Sequence, residues 1–489
     1  MKIPRPPGPR DRFFGLQLLR RMERDYLGFW NDAQRNYGDA VYMRIGPLDT
    51  YGFMHPDLIR AVLVDQARSF IRYERHMKVL GQLHGQSVLI TEGEAWQQQR
   101  RMLQPGFSPK RFDGYARQMT EAAAGLLDSL PADGRTALDF EHVMNMLTMD
   151  VILRTMFGAK ITQDTSDIEA AVRTLSRLGY EEMFDQVTLP DWLPLPGKAA
   201  KLAALRLLDE LIWTHIRTRR AAPPDRQETQ QDLLGMLLTA VDGEGDGSML
   251  SDRQVRDQLM TIFLAGHETT ASGLAWAGWL LAAHPDVARR AAEEVDRVLA
   301  GRDPVFADVA QLPYLGQVVK ETLRLYPPAP GVFMRRAVED ARIGEWIVPK
   351  GALVSILATI PHRDPRWFPE PDKFDPSRFE AEAAKRIPRG AYFPFGTGPR
   401  VCIGNSFATM EMTLILAMLL QRYALHPAPG QNRPRIRMQV TLRPENGVRL
   451  ELSRRERREG DAVPAEPPAS HAGTCPFHAA GADAQRIHG

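Results

Sequence analysis

Apolar and polar residues follow the 3.6-residue period of amphipathic helices along most of this chain. The stretches with that pattern are residues 14–36, 56–65, 113–129, 139–158, 164–184 and 198–220. A further helix of about thirty residues is capped by Ser251-Asp252 and is apolar from Thr261 to Ala283. His267 and Glu268 in its middle make a membrane span costly, so we expect a buried core helix.

Alternation with a period of two predicts a smaller β part. Residues 39–54 predict a hairpin that turns at Gly46-Pro47-Leu48-Asp49. Ile343 to Val348 and Ala352 to Leu357 predict a strand pair joined by the Pro349-Lys350-Gly351 turn, and residues 435–452 predict C-terminal strands. Residues 70–90 lack a regular period and predict a long, partly mobile loop, which is suited to a substrate lid.

Length and composition indicate one large unit. The 489 residues exceed the usual size of a single core, but no linker-like composition occurs before residue 455. We therefore predict one mainly helical domain over residues 1–454. Residues 455–489, which are rich in Pro, Ala and Gly and contain Cys475, predict a disordered tail.

Charge and cysteine content narrow the functional class. The formal net charge of +2 is nearly balanced, and basic residues do not cluster with aromatic ones, so nucleic-acid binding is not indicated. Two cysteines argue against a disulfide framework and fit a reducing compartment. The proline-rich start, Met1 to Pro9, has neither a signal-peptide core nor an anchor helix, so we expect a cytoplasmic monomer without a membrane anchor.

Two local patterns carry candidate chemistry. From Phe395 to Gly404, glycines allow backbone N–H groups and the N-terminus of a following helix to approach Cys402, and both favour a thiolate that can ligate an iron centre. In the long helix, the small residues at 265 and 266 would let a flat cofactor approach. Thr269 can bond to the Ala265 carbonyl and open the helix for a diatomic ligand. Glu268 adds a carboxyl in an apolar environment that can relay protons.

Other pairs are weaker signals. Trp96 and Arg100 lie four residues apart on one helix face, where both can donate to a single anionic group. Glu321 and Arg324 lie three apart in a helix predicted from Tyr314 to Tyr326. Of Arg335 and Arg336, only one should face inward, because side chains alternate along a strand.

These motifs, in this order, resemble the cytochrome P450 superfamily. Its pattern Phe-Gly-x-Gly-x-Arg-x-Cys-x-Gly is met at every position from Phe395 to Gly404. The segment from Ala265 to Thr270 is similar to its Ala/Gly-Gly-x-Asp/Glu-Thr-Thr/Ser signature. The resemblance implies the cytochrome P450 fold, mainly α with small β-sheets (α+β). It also implies a single large domain that holds haem b between the long central helix and the cysteine loop.

The resemblance also implies residue roles. Cys402 would be the axial ligand of the haem iron, and Glu268 with Thr269 would deliver protons to bound dioxygen. Glu321, Arg324 and Arg378 would form a structural trio that supports the cysteine loop. The implied cofactor-binding residues are Trp96, Arg100, Ala265, Gly266, Arg335, Phe395, Arg400, Cys402 and Gly404.

The implied activity is monooxygenation: one atom of O2 enters a lipophilic small molecule by hydroxylation or epoxidation, and the other leaves as water. The apolar, proline-punctuated segment Leu189 to Pro196 corresponds to the roof of the substrate pocket. Electrons would come from NAD(P)H through separate proteins such as ferredoxin reductase and ferredoxin. An acidic donor would dock on the basic residues Lys110, Arg111, Lys385, Arg386, Arg389, Arg400 and Arg422.

The residues are also compatible with a second class of function. A haem-thiolate protein could hold the cofactor as a sensor without turnover. Such a sensor has no need for the Glu268-Thr269 pair, which therefore favours the enzyme.

Overall fold

The computed structural model describes residues 4–11, 13–159, 166–184, 197–223, 232–243, 245, 247–438 and 440–455. The helices in these ranges are α1 (Leu16–Arg24), α2 (Tyr26–Tyr37), α3 (Pro56–Arg60), α4 (Glu74–His84), α5 (Gly93–Leu103), α6 (Phe112–Ser129), α7 (Phe140–Phe157), α8 (Ser166–Phe184), α9 (Lys198–Ala221), α10 (Leu233–Thr239), α11 (Asp252–Ala283), α12 (Pro285–Leu299), α13 (Pro313–Leu325), α14 (Thr359–His362), α15 (Ala381–Ala384) and α16 (Asn405–Arg422). The strands are β1 (Ala40–Ile45), β2 (Leu48–Phe53), β3 (Phe70–Arg72), β4 (Asp133–Asp139), β5 (Gly331–Ala337), β6 (Ala341–Ile343), β7 (Trp346–Val348), β8 (Leu353–Leu357), β9 (Tyr423–Pro427), β10 (Ile436–Met438), β11 (Leu442–Pro444) and β12 (Arg449–Arg454).

Helix α11 is the central element of the helical part. It begins with a capping box in which Ser251 Oγ accepts from the Gln254 N–H and Gln254 Oε1 accepts from the Ser251 N–H. Its side chains are buried on nearly all sides, against α7, α9, α13 and α16. It ends at His284, just before Pro285 begins α12. This confirms the buried core helix expected from the sequence.

The β part consists of one five-stranded sheet and three smaller sheets in the described residues. The large sheet has the order β1-β2-β8-β5-β3, with β2 and β8 parallel and the other pairs antiparallel. The small sheets are β4-β12-β9, β10-β11 and β6-β7. The expected fold class, mainly α with small β-sheets, is confirmed.

Several sequence-based boundaries were wrong for local reasons. The helix expected over residues 14–36 is two helices, broken at Asp25, whose carboxylate caps α2 by accepting from the Gly28 N–H. The helix expected over residues 56–65 is α3 followed by a π-helical turn, Ala61–Asp65. The strand pair expected across Pro349-Lys350-Gly351 does not form, because β6 and β7 pair with each other and β8 pairs with β5 and β2.

The long loop predicted over residues 70–90 is also wrong. This segment contains β3, which pairs with β5, and the helix α4. Gly81 hid the helical pattern, but space for a Cβ exists there, so the glycine does not interrupt the helix. The predicted substrate roof, Leu189 to Pro196, and the tail with Cys475 lie outside the described residues.

Candidate active site

The cysteine loop depends on two glycines in left-handed backbone conformations. Gly396 has φ of 74° and Gly398 has φ of 76°. A Cβ on Gly398 would lie 1.9 Å from the carbonyl oxygen of Leu63, so no side chain fits there. The Cys402 N–H donates to the Phe395 carbonyl at 2.9 Å, which closes the loop just before α16. The loop is therefore fixed both internally and against the π-helical turn.

Cys402 lies deep in the molecule, yet its side chain has accessible surface. This combination is expected of a group that faces an internal space. Burial raises the pKa of the Cys402 thiol, whereas the Gly404 N–H and the positive charge of Arg100 act in the opposite direction. The Gly404 N–H acts in the direction expected from the sequence, and burial of the sulfur, which was not considered there, acts against it.

Helix α11 carries a second set of accessible residues. Between Asp257 and Ala282 every residue is buried except Ala265, Gly266 and Thr269. Ala265 and Thr269 are four residues apart and share one face, so open space lies against the middle of an otherwise buried helix. Thr269 Oγ1 donates to the Ala265 carbonyl at 2.7 Å, as expected, but α11 stays helical throughout.

Gly266 is also the point at which a second helix comes close to α11. A Cβ at this position would lie 3.0 Å from Cδ1 of Ile152. The small residue therefore allows α7 to pack closely against α11. Ala265 provides the accessible surface toward the cavity.

Glu268 lies beside this accessible face but is not in the apolar environment expected from the sequence. It is 4% exposed and forms an ion pair with Arg443, whose Nη2 lies 2.7 Å from Oε1. Thr441 also donates to Oε1, at 2.7 Å, and Ser176 donates to Oε2. Because these three partners lie far away in sequence, the local motif gave no signal for them.

A group of arginines lies next to the cysteine loop. Arg72 and Arg335 are direct partners across β3 and β5, and Arg400 lies beside them. Burial lowers the pKa of Arg335 to about 10 and that of Arg400 to about 9, and the charge of Arg72 adds to both shifts. Glu92 pairs with Arg72 and Arg400, whereas Arg335 donates to the Phe333 carbonyl.

Trp96 and Arg100, expected to act together, have different neighbours. The Arg400 guanidinium lies over the Trp96 ring, 3.8 Å from its centroid. Arg100 is close enough to Cys402 for the two charges to interact, and burial lowers the pKa of Arg100. The four arginines 72, 100, 335 and 400 thus have one carboxylate, Glu92, among them in the described residues.

The expected trio is brought together on the other side of the loop. Arg324 forms two bonds with Glu321, at 2.6 and 2.8 Å, and both side chains are fully buried. Arg378 Nε lies 3.3 Å from Glu321 Oε1. Arg324 also donates to the His362 carbonyl, and His362 Nε2 accepts from the Phe393 N–H at 2.9 Å. His362 thus links the trio to the start of the cysteine loop, a connection not predicted from the sequence.

Comparison with known proteins shows the family of this chain. The sequence model of the family described as Cytochrome P450 matches residues 4–452. The chain belongs to the cytochrome P450 family.

Relatives of this P450 include monooxygenases. It is 37% identical over 395 residues to cyclooctat-9-en-7-ol 5-monooxygenase from Streptomyces melanosporofaciens, which covers 81% of this chain and 84% of that protein. It is 36% identical over 410 residues to cyclooctatin synthase from the same organism, covering 83% and 88%. It is 31% identical over 479 residues to human cytochrome P450 4F12, covering 92% and 89%. This P450 is accordingly a monooxygenase, which is an oxidoreductase, and its cofactor is haem.

The residues present fit a haem. The propionates of a haem carry two negative charges, and the arginine group has three positive charges in excess of Glu92. The exposed Ala265 in a buried helix and the accessible Cys402 leave surface for a flat ring. Arg72 belongs to this group but was not predicted, because strand β3 was read as part of a loop.

Several of the basic residues predicted to dock an electron donor form ion pairs with acidic side chains of the same chain. Arg400 points inward to Glu92, and Arg422 forms ion pairs with Asp128 and Asp303. Lys110, Arg386 and Arg389 are exposed. No helix in the described part of the chain is both long and apolar enough to cross a membrane.

Proposed function

We propose that this P450 inserts one atom of O2 into a lipophilic small molecule, by hydroxylation or epoxidation, with Cys402 as the thiolate ligand of haem b. The observation that carries the proposal is the accessible face of α11, where Ala265 and Thr269 border open space and Glu268 lies beside them. When bound, the haem supplies the iron chemistry that splits dioxygen.

Cys402 supplies the sulfur ligand in this proposal. Its backbone N–H is fixed to the Phe395 carbonyl, and the Gly404 N–H points at the sulfur. Burial raises the pKa of the Cys402 thiol, and the positive charge of a bound iron would favour the thiolate. Phe395 and Gly404 thereby act by holding the sulfur in place.

Arg72, Arg100, Arg335 and Arg400 bind the propionates in this proposal, and Trp96 keeps Arg400 oriented by stacking. The unbalanced positive charge of this group supports the assignment. Glu321, Arg324 and Arg378 keep the loop in position through His362 and Phe393.

Thr269 and Glu268 deliver protons to the open space beside α11 in this proposal. The Thr269 hydroxyl borders the open face and donates its proton to the Ala265 carbonyl, so a rotation about its Cα–Cβ bond would aim the O–H into the cavity. Glu268 is the nearest acid in sequence and can restore that proton. A sensor that only holds haem would not need this pair, and the retained pair favours the enzyme over the sensor.

The substrate class is lipophilic and the electron donor is a separate protein. The name of the Streptomyces relative specifies monooxygenation of cyclooctat-9-en-7-ol at position 5, which supports a largely hydrocarbon substrate for this P450. We propose that NAD(P)H reduces the protein through a ferredoxin reductase and a ferredoxin docked on Lys110, Arg386 and Arg389. The low cysteine content supports a cytoplasmic location.

The proposal is tested with the purified protein and a panel of hydrophobic compounds. Compounds that displace the iron-bound water shift the absorption spectrum, and those compounds are then incubated with isotopically labelled dioxygen and an electron-donor system. We expect the label in one oxygen atom of the product and a strongly red-shifted band for the reduced, carbon-monoxide-bound form. Ligands that bind tightly without any labelled product would favour the sensor.

A further inference from the structure

The carboxylate of Glu268 is held by three residues from two separate parts of the chain. Arg443 lies on β11, Thr441 lies just before that strand, and Ser176 lies on α8. Both oxygens of Glu268 accept at least one bond, and its side chain is 4% exposed. The acid is therefore anchored from the side of the C-terminal β10-β11 hairpin, a segment without any recognisable motif.

Arg443 also reaches a second carboxylate. Its Nη1 lies 3.9 Å from Oε1 of Glu141 in the first turn of α7, and its Nε donates to Thr441 Oγ1 at 3.3 Å. The Glu141 side chain is 16% exposed, against 12% for Arg443 and 4% for Glu268. Arg443 thus connects the buried acid beside the cavity with a more accessible acid.

Removing either partner of the Arg443–Glu268 ion pair destabilises the protein. An ion pair that has lost contact with water leaves an uncompensated charge when one partner is removed. A guanidinium has N–H donors and no acceptor atom, so Arg443 cannot itself relay a proton. Its influence on the reaction must come from the position and charge state that it imposes on Glu268.

We propose that Arg443 is a positioning residue for proton delivery, which fixes the Glu268 carboxylate where it can serve Thr269. The inference rests on the proposed function, because it deepens the role given there to Glu268. Thr441 supports the same position by bonding to both partners. Loss of Arg443 would leave the haem site intact but the acid misplaced.

The test compares Arg443→Gln, Arg443→Lys, Glu268→Gln and the double variant Arg443→Gln/Glu268→Gln. Arg220→Gln is the matched control, because Arg220 forms an exposed ion pair with Asp252. We expect Arg443→Gln to keep the haem-thiolate spectrum, to lower product formed per NAD(P)H roughly ten-fold, and to increase the solvent isotope effect on turnover. Arg443→Lys should keep most of the product formed per NAD(P)H. The double variant should form no less product per NAD(P)H than Glu268→Gln.

A readout independent of activity is thermal unfolding of the same full-length variants. Each single change should lower the unfolding temperature, and the double change should lower it by less than the sum, because both single changes break the same Arg443–Glu268 ion pair. If Glu268→Gln lost product yield while Arg443→Gln kept it, the positioning role would be overturned and the proposed function would stand. If both variants kept the full yield, the proton role of Glu268 would itself be wrong.

Discussion

The guanidinium of Arg400 lies over the indole of Trp96, with its central carbon 3.8 Å from the ring centroid. Arg400 comes from the cysteine loop and Trp96 from α5, so the contact joins two segments that are more than three hundred residues apart. A cation–π contact orients the guanidinium without neutralising its charge. Glu92 is a carboxylate partner of both Arg400 and Arg72, so the positive charge of the arginine group is only partly neutralised.

Trp96→Leu should weaken haem binding. Loss of a partly buried cation–π contact costs about 1–2 kcal/mol, so we expect haem to dissociate roughly ten-fold faster. The rate of haem transfer to an acceptor haem protein measures this. Trp367→Leu, which removes an indole paired with Arg366, serves as the control and should leave the rate unchanged. Equal rates for Trp96→Leu and the parent protein would contradict the role of Trp96.

Cys402→Ser should abolish both the red-shifted carbon monoxide band and product formation. A serine hydroxyl does not replace a thiolate as an electron-donating ligand. Cys475→Ser in the C-terminal segment is the control and should change neither. A red-shifted band that survives in Cys402→Ser would show that another residue ligates the iron.

Thr269→Ala should keep the haem and lose coupling. The change removes the hydroxyl that borders the open face but no contact of the arginine group. We expect reducing equivalents to be diverted to peroxide and water, with product per NAD(P)H reduced about ten-fold or more. Simultaneous assays of peroxide and product check this. Thr409→Ala, a helix threonine bonded to a backbone carbonyl in α16, is the matched control.

Glu321→Ala should strongly destabilise the protein. Arg324 is fully buried, and the change leaves its charge without a carboxylate. Breaking a buried pair costs about 3–5 kcal/mol, measurable as a lower midpoint in urea unfolding of the full-length protein. Glu382→Ala, which removes an exposed pair with Lys385, should shift the midpoint little. Equal shifts of the urea midpoint in the two variants would show that Glu321, Arg324 and Arg378 do not support the structure.

Features that depend on local sequence could be predicted, whereas contacts between distant segments could not. The cysteine loop and α11 carry their own signals, since glycine positions, caps and apolar periodicity act within a few residues. The contacts of Glu268 with Arg443 and Ser176 join distant segments, and no local pattern encodes them. Strand β8 was assigned to the wrong partner for the same reason.

Glu411 predicts a pH dependence of stability. It is 2% exposed on α16, and burial raises its pKa to about 8, against a weaker opposing effect of a hydrogen bond from Thr270. Below pH 4.5 the group is neutral in both folded and unfolded states. As the pH rises from 4.5 to about 8, the unfolded chain ionises while the folded protein keeps the proton, so stability falls across this window.

Glu411→Gln removes this effect because the amide keeps the shape of the acid and does not ionise. One pKa unit corresponds to about 1.4 kcal/mol, so the variant should gain up to about 5 kcal/mol over the parent protein between the two ends of the window. Urea unfolding of both proteins across that pH range measures the difference. Glu382→Gln, an exposed glutamate, is the control and should show little change with pH. A free-energy difference between Glu411→Gln and the parent that stayed constant with pH would mean that Glu411 is ionised in the folded protein, with a cation or water in place of the buried proton.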